Sequence, residues 1–274
     1  MSLANVSEFE YTGKSFDVSS QDPYLRHMTF KPDGTKMYTT TGDDQYVWQY
    51  SLSTAWDVST ASYDSKYLDV SSETLNARCS QFNSDGTIMF MGERYSSNVY
   101  QYSLTTGWDI STASYDEEYL ETSNYCSMVL NSDGTRMFVL TNDANDPVKQ
   151  YNLSSGWDIS TASYASKSLE VTGQDTQPNG IGISSDGKKV FIVGTSEDTV
   201  FQYSLTTAWD ISTGSYDSIY LDVSSECSGA YGLIIGNDDK SFYVADYSEH
   251  KVFQYNQVGA EIGVKYPLPA FKSS

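Results

Sequence analysis

Two of the chain's four arginines, Arg26 and Arg78, stand at matched places, each seven residues before an Asp-Gly pair, Asp33-Gly34 and Asp85-Gly86. Paired guanidinium groups can hold a carboxylate or a sulfate, as on an acidic glycan, through charge-assisted hydrogen bonds. A salt bridge to neighbouring acidic segments is the plainer alternative. His27 follows the first of them. Tyr24, Tyr46, Tyr95, Tyr125, Tyr231 and Tyr247 fall in the same class of polar segments. Flat rings beside Asn, Asp and Gln suit sugar recognition, whereas packing at strand ends would use the same rings structurally. The candidate ligand-binding set is Arg26, His27, Arg78, Tyr24, Tyr46, Tyr95 and Tyr231.

Other chemistry is thinly represented. The formal charge of −20 argues against nucleic acid, which needs Lys and Arg to displace counterions, and favours a cationic partner or solubility. Acids recur at Asp43, Asp44, Glu93, Asp143, Asp146, Glu197, Asp198, Asp246 and Glu249, as a calcium site would need. They lack the D-x-D-x-D-G spacing, so no metal is expected. There are two histidines, His27 and His250, and no nucleophile elbow, zinc-protease, phosphate-loop or dinucleotide motif. No cofactor and no catalytic residue is expected, although a carboxylate pair could serve a glycoside hydrolase. Cys79, Cys126 and Cys227 read as free thiols, not a disulfide framework. Neither a signal peptide nor an apolar span long enough to cross a bilayer is expected.

The elements that position these residues come from a repeat. The turn and strand PDGTKMY at Pro32 recur as SDGTIMF at Ser84, SDGTRMF at Ser132, SDGKKVF at Ser185 and a worn NDDKSFY at Asn237. Successive anchor aspartates lie 52, 48, 53 and 52 residues apart, a period of propellers and solenoids. Each copy holds a strand before the Asp-Gly turn, one after it, a Val-x-Gln-Tyr strand and a fourth strand of the Lys-Tyr-Leu-Asp-Val kind. Trp56, Trp108, Trp157 and Trp209 open a Trp-Asp connector before the fourth strand and read as inter-blade packing. Four antiparallel strands in five copies predict an all-β fold, a single five-bladed β-propeller. Residues 6–20 align without a gap on 58–72, so strand 14–18 should complete blade five and close the ring. The domain is read as 1–255, with 256–274 a possible docking tail.

The Asp-Gly turns and Trp-Asp connectors fall on one face of such a disc, here the bottom, and barely differ between copies. The other two loop sets fall on the top and differ throughout, which places the expected binding site there. The phrases SLSTAWDVSTASYDS at Ser51 and PDGTKMY at Pro32 resemble the broad WD-repeat and YVTN class of propellers. They are most similar to tandem repeats in virion proteins of marine bacteriophages, particularly tail-associated adhesins. The resemblance implies a non-enzymatic virion component whose partners are a host-surface glycan or protein and other virion subunits, met through a disc face or the tail. The alternatives are a structural decoration protein of capsid or tail, and an acidic-sugar hydrolase.

Overall fold

The alternation of apolar and polar residues in each repeat is realised as twenty strands in five four-stranded antiparallel sheets. A computed structural model describes residues 4–141, 147–236 and 240–258, without the side chains of Tyr125 and Cys126. Blade one holds β2 (Leu25–Phe30), β3 (Lys36–Thr41), β4 (Tyr46–Leu52) and β5 (Ala61–Asp69), after β1 (Phe9–Asp17). Blade two holds β6 (Ala77–Phe82), β7 (Ile88–Glu93), β8 (Asn98–Leu104) and β9 (Ala113–Glu121). Blade three holds β10 (Tyr125–Leu130), β11 (Arg136–Thr141), β12 (Val148–Leu153) and β13 (Ala162–Leu169). Blade four holds β14 (Pro178–Ile183), β15 (Lys189–Gly194), β16 (Thr199–Leu205) and β17 (Gly214–Asp222). Blade five holds β18 (Ala230–Ile235), β19 (Ser241–Asp246) and β20 (Lys251–Gln257). Its outermost strand is β1, paired antiparallel with β20.

The ring therefore closes through the N-terminal strand. That strand is longer than the expected 14–18, because Phe9 and Tyr11 also pair, with Gln257 and Tyr255. Phe9 seats its ring edge-on against Phe242, centroids 4.6 Å apart. Asn256 and Gln257 continue β20 beyond the expected boundary; from residue 259 the expected docking tail lies outside the described residues, as does the Asn237–Asp239 turn.

Two devices lock the blades together. The glutamine of each third strand crosses to the next blade. Gln49, Gln101, Gln150, Gln202 and Gln254 accept from the backbone N–H of Ile110, Ile159, Ile211, Val6 and Val58 at 2.8–3.3 Å. The tryptophans supply the second. Trp56 packs on Tyr243 of blade five and Trp108 on Tyr38 of blade one, and the backbone oxygens of Trp56 and Trp108 accept those two hydroxyls at 2.8 and 2.7 Å. Trp157 and Trp209 pack likewise on Phe90 and Phe138. Lys14, Lys66 and Lys167 add ion pairs to the connector carboxylates Asp57, Asp109 and Asp210 of the following blade. Cys79 and Cys227 are buried thiols outside any disulfide; burial pushes the Cys227 thiol pKa well up. No helix among the described residues is long and apolar enough to cross a membrane.

Candidate functional site

Every innermost strand breaks its register near its top end. The pairing of β2 with β3 skips from Leu25 to His27, that of β6 with β7 from Ala77 to Cys79, and that of β10 with β11 from Tyr125 to Ser127. The same skip falls between Pro178 and Gly180 and between Ala230 and Gly232. A one-residue bulge kinks the strand and re-aims the extra side chain. The extra residues are Arg26, Arg78, Cys126, Asn179 and Tyr231. Because an inner strand borders the central channel, its bulge residue is delivered to the channel's top mouth.

Three of these side chains meet across the mouth. The Arg26 guanidinium carbon lies 4.8 Å from the Tyr231 ring centroid and 4.0 Å from that of Tyr247. Arg78 lies 5.1 Å from the Tyr231 centroid. Blades one, two and five thus converge on one ring, which requires all three groups to sit near the axis. Both arginines are buried, Arg26 at 8% and Arg78 at 3% exposure, and a cation over an aromatic face is favoured in such a dry setting. The nearest carboxylate to Arg26 is Asp43, 3.9 Å from Nη2 and half exposed, itself held at 2.7 Å by the Asn76 amide. Among the described residues the Nε of Arg26, which lies against Gly42, has no hydrogen-bond acceptor. The site therefore holds buried positive charge against two rings with a half-exposed carboxylate at its edge, a combination that fits a compact anion bearing hydroxyls or a carbonyl.

The remaining expected residues lie elsewhere. His27 is buried with no partner on either ring nitrogen among the described residues. Desolvation drops its pKa to about 3, so the ring is neutral. Tyr24 is half-buried in the loop entering β2, where its carbonyl accepts from Gly42 N–H. Tyr46 lies in an aromatic ladder down blade one with Trp48 and Tyr67, centroids at 5.0 and 5.5 Å. Tyr95 is 69% exposed on blade two's loop. The structure thus gathers Arg26, Arg78 and Tyr231, and sets His27, Tyr24, Tyr46 and Tyr95 apart from them.

Several acids of the supposed ring turn inward instead. Glu93 accepts from the backbone N–H of Asn76, Tyr95 and Ser96 and from the Ser96 hydroxyl. Asp246 accepts from Gly229 and Glu249 N–H. These carboxylates brace the top loops. Among the described residues no three His, Cys, Asp or Glu side chains cluster as metal ligands. Asp22 is buried beneath the top loops, where it accepts from Tyr24 N–H at 3.2 Å and faces the Thr39 hydroxyl, and burial outweighs both and lifts its pKa to about 7.

Sequence reasoning passed over Asn179 and left Tyr247 and Asp43 out of the site. The signal for Asn179 and Tyr231 was present, since both stand seven residues before their anchor aspartates, as Arg26 and Arg78 do. Nothing in the sequence marked that spacing as a bulge.

No family model and no curated protein matches the chain. Solved structures do share its fold. A proposed 6-phosphogluconolactonase from Bacteroides uniformis superposes with a TM-score of 0.52 at 13% identity, over 82% of this chain and 64% of that one. A functionally unknown protein from Desulfotomaculum acetoxidans gives 0.53 at 11% identity, over 88% and 85%. A β-propeller domain from Myceliophteria thermophila gives 0.52 at 8%, over 90% and 99%. At such identities the likeness concerns the fold alone, and the chain spans less than two thirds of the lactonase-named protein. The WD-repeat resemblance holds at the level of the β-propeller. The expectation of a non-enzymatic module is corrected. It rested on the absence of a linear catalytic motif, but a protein named as a lactone hydrolase is built on this architecture. A propeller assembles its site from loops far apart in sequence, where no linear motif need exist.

Proposed function

We propose that the top mouth of the channel holds a small sugar acid or sugar lactone and that the chain hydrolyses such a compound. The observation that carries this reading is the buried Arg26–Tyr231–Arg78 cluster with Asp43 at its edge. A guanidinium whose Nε lacks an acceptor gains a partner when an anionic or carbonyl oxygen enters, and it stabilises the oxyanion that forms there. Asp43 is the carboxylate in place to orient an attacking water. The faces of Tyr231 and Tyr247 limit the bound group's thickness. The name of the Bacteroides uniformis neighbour supports trying lactones first.

Calorimetric titration with gluconate and glucuronate, together with pH-stat hydrolysis of gluconolactone, tests the reading. Each lost charge-assisted hydrogen bond is worth about 1.5–3 kcal/mol, so Arg26→Ala or Arg78→Ala should weaken binding roughly ten- to hundred-fold. Asp43→Asn should lower turnover while sparing affinity. Equal affinity of wild type and the Arg26→Ala/Arg78→Ala protein would remove the ligand from the mouth. A lactone rate no faster than the spontaneous one would remove the hydrolysis. The similarity of the repeats to phage virion proteins supports a second setting, in which the same mouth meets an acidic sugar on a host surface.

A further inference from the structure

At the bottom face the channel widens into a cup of about 410 Å3 bordered by Trp56, Trp108, Trp157 and Trp209, within the size range of small-molecule pockets. All four tryptophans have left-handed backbones, φ between 60° and 66°, a region bulky residues rarely adopt. Each is held there by its own N–H on the carbonyl of the turn glycine, at 2.8–3.3 Å. Each indole lies against that glycine, where an added Cβ would collide with the ring. The rings are therefore fixed before any ligand arrives. By alignment of Val6 with Val58, the fifth indole position is Ala4, so the repeat supplies no tryptophan there. Gln81 also lines the cup, and among the described residues its buried Nε2 has no partner.

The acidic balance of the chain favours a cation here, although Lys188, Lys189 and Lys240 also stand beside the bottom turns. Lys14, Lys31, Lys36, Lys66 and Lys167 each end on a carboxylate, Asp57, Asp33, Asp64, Asp109 and Asp210 respectively. Arg136 lies 3.4 Å from the Trp209 carbonyl. The turn carboxylates Asp85 and Asp133 are held below the usual range, chiefly by hydrogen bonds from Thr87 and Thr135, and the whole chain carries −20. Indole is the aromatic face that attracts cations most strongly.

We propose that the cup binds a small quaternary ammonium compound of choline size, its head among the four indoles. The wild-type protein is titrated with choline and with its neutral isostere, 3,3-dimethyl-1-butanol, by calorimetry and by tryptophan fluorescence. Saturable quenching by choline is expected, with the isostere at least about tenfold weaker. Trp157→Phe keeps an aromatic ring for packing and should weaken choline about three- to tenfold. The Arg26→Ala/Arg78→Ala protein should bind choline as wild type does, which separates this site from the top mouth. Equal affinity for the neutral isostere would overturn the proposal, as would the absence of any saturable heat. A trimethyllysine peptide that binds where choline does not, or quenching that follows dimerisation in sedimentation, would assign the cup to a protein partner instead.

Discussion

The two faces of the disc are cut from the same five repeats and use them in opposite ways. On the bottom, equivalent positions do one job. Four indoles rest on four turn glycines, and four connector aspartates cap the short helical turns that follow them. On the top, equivalent positions diverge. The bulge residue is Arg26, Arg78, Cys126, Asn179 or Tyr231, and the residue closing the second strand is Thr41, Glu93, Thr141, Gly194 or Asp246. Uniformity therefore follows the inter-blade clasp, which every blade needs alike, and divergence follows the mouth, where Arg26, Arg78 and Tyr231 meet once. Uniformity does not imply an inert surface, however, since a cup lies on the uniform face.

The largest expected effect breaks the bottom face alone. Trp108→Ala removes a half-buried indole from Gly86, Phe82 and Tyr38. Large-to-small changes at packed aromatics cost about 3–5 kcal/mol, and Trp108 is only half-buried. Urea denaturation should show a loss near the low end of that range. Affinity at the top mouth should not change, and if it falls with stability the two faces are not independent.

The next effect belongs to the top face and depends on pH. Burial holds the Asp22 carboxyl pKa at about 7, above its ordinary 3.8, outweighing the Thr39 and Tyr24 hydrogen bonds and the charge of Arg26 that favour the carboxylate. The folded state therefore keeps the proton more tightly than the unfolded one. The stability from this group is full below pH 3.8 and is lost as pH rises through about 7. Asp22→Asn removes the titration, so its stability relative to wild type should rise by about 2–4 kcal/mol between pH 4 and pH 8. A constant difference across that window would show that Asp22 is solvated when the protein is folded.

A smaller effect tests whether the clasp is uniform. Gln101→Ala leaves the buried N–H of Ile159 without an acceptor, worth about 1–3 kcal/mol. The same change at Gln49 and Gln150 should cost the same within about 0.5 kcal/mol. Unequal costs measured by thermal melting would mean that the blades differ below their repeated sequence.

The sequence carried most of the fold because its signals are local. The Asp-Gly turns, the alternating strands and the alignment of residues 6–20 on 58–72 each state a short-range constraint, and ring closure follows from their sum. The site was less legible for a physical reason. A bulge depends on how two strands register, and Arg78 reaches Tyr231 only because the ring closes. The acids misled in the same way. Glu93 and Asp246 look like free carboxylates in sequence, while their partners are backbone N–H groups that carry no residue-type signal.

The smallest expected effect on stability sets the width of the top site. Tyr95 is 69% exposed on the blade-two loop, and that loop is braced by Glu93 through backbone N–H bonds that do not involve the tyrosine ring. Tyr95→Ser should shift stability by no more than about 0.5 kcal/mol, as for surface substitutions that break no cap or core contact. Its effect on binding then reads ligand size without interference from folding. A compact sugar acid seated over Tyr231 ends short of the rim, so gluconate affinity should stay within about twofold of wild type. An acidic oligosaccharide would extend over the loop, and stacking on an exposed ring is worth about 0.5–1.5 kcal/mol. A roughly three- to tenfold loss for the oligosaccharide but not the monosaccharide would mean that the divergent loops extend the mouth. If neither ligand responds, recognition is confined to the bulge residues.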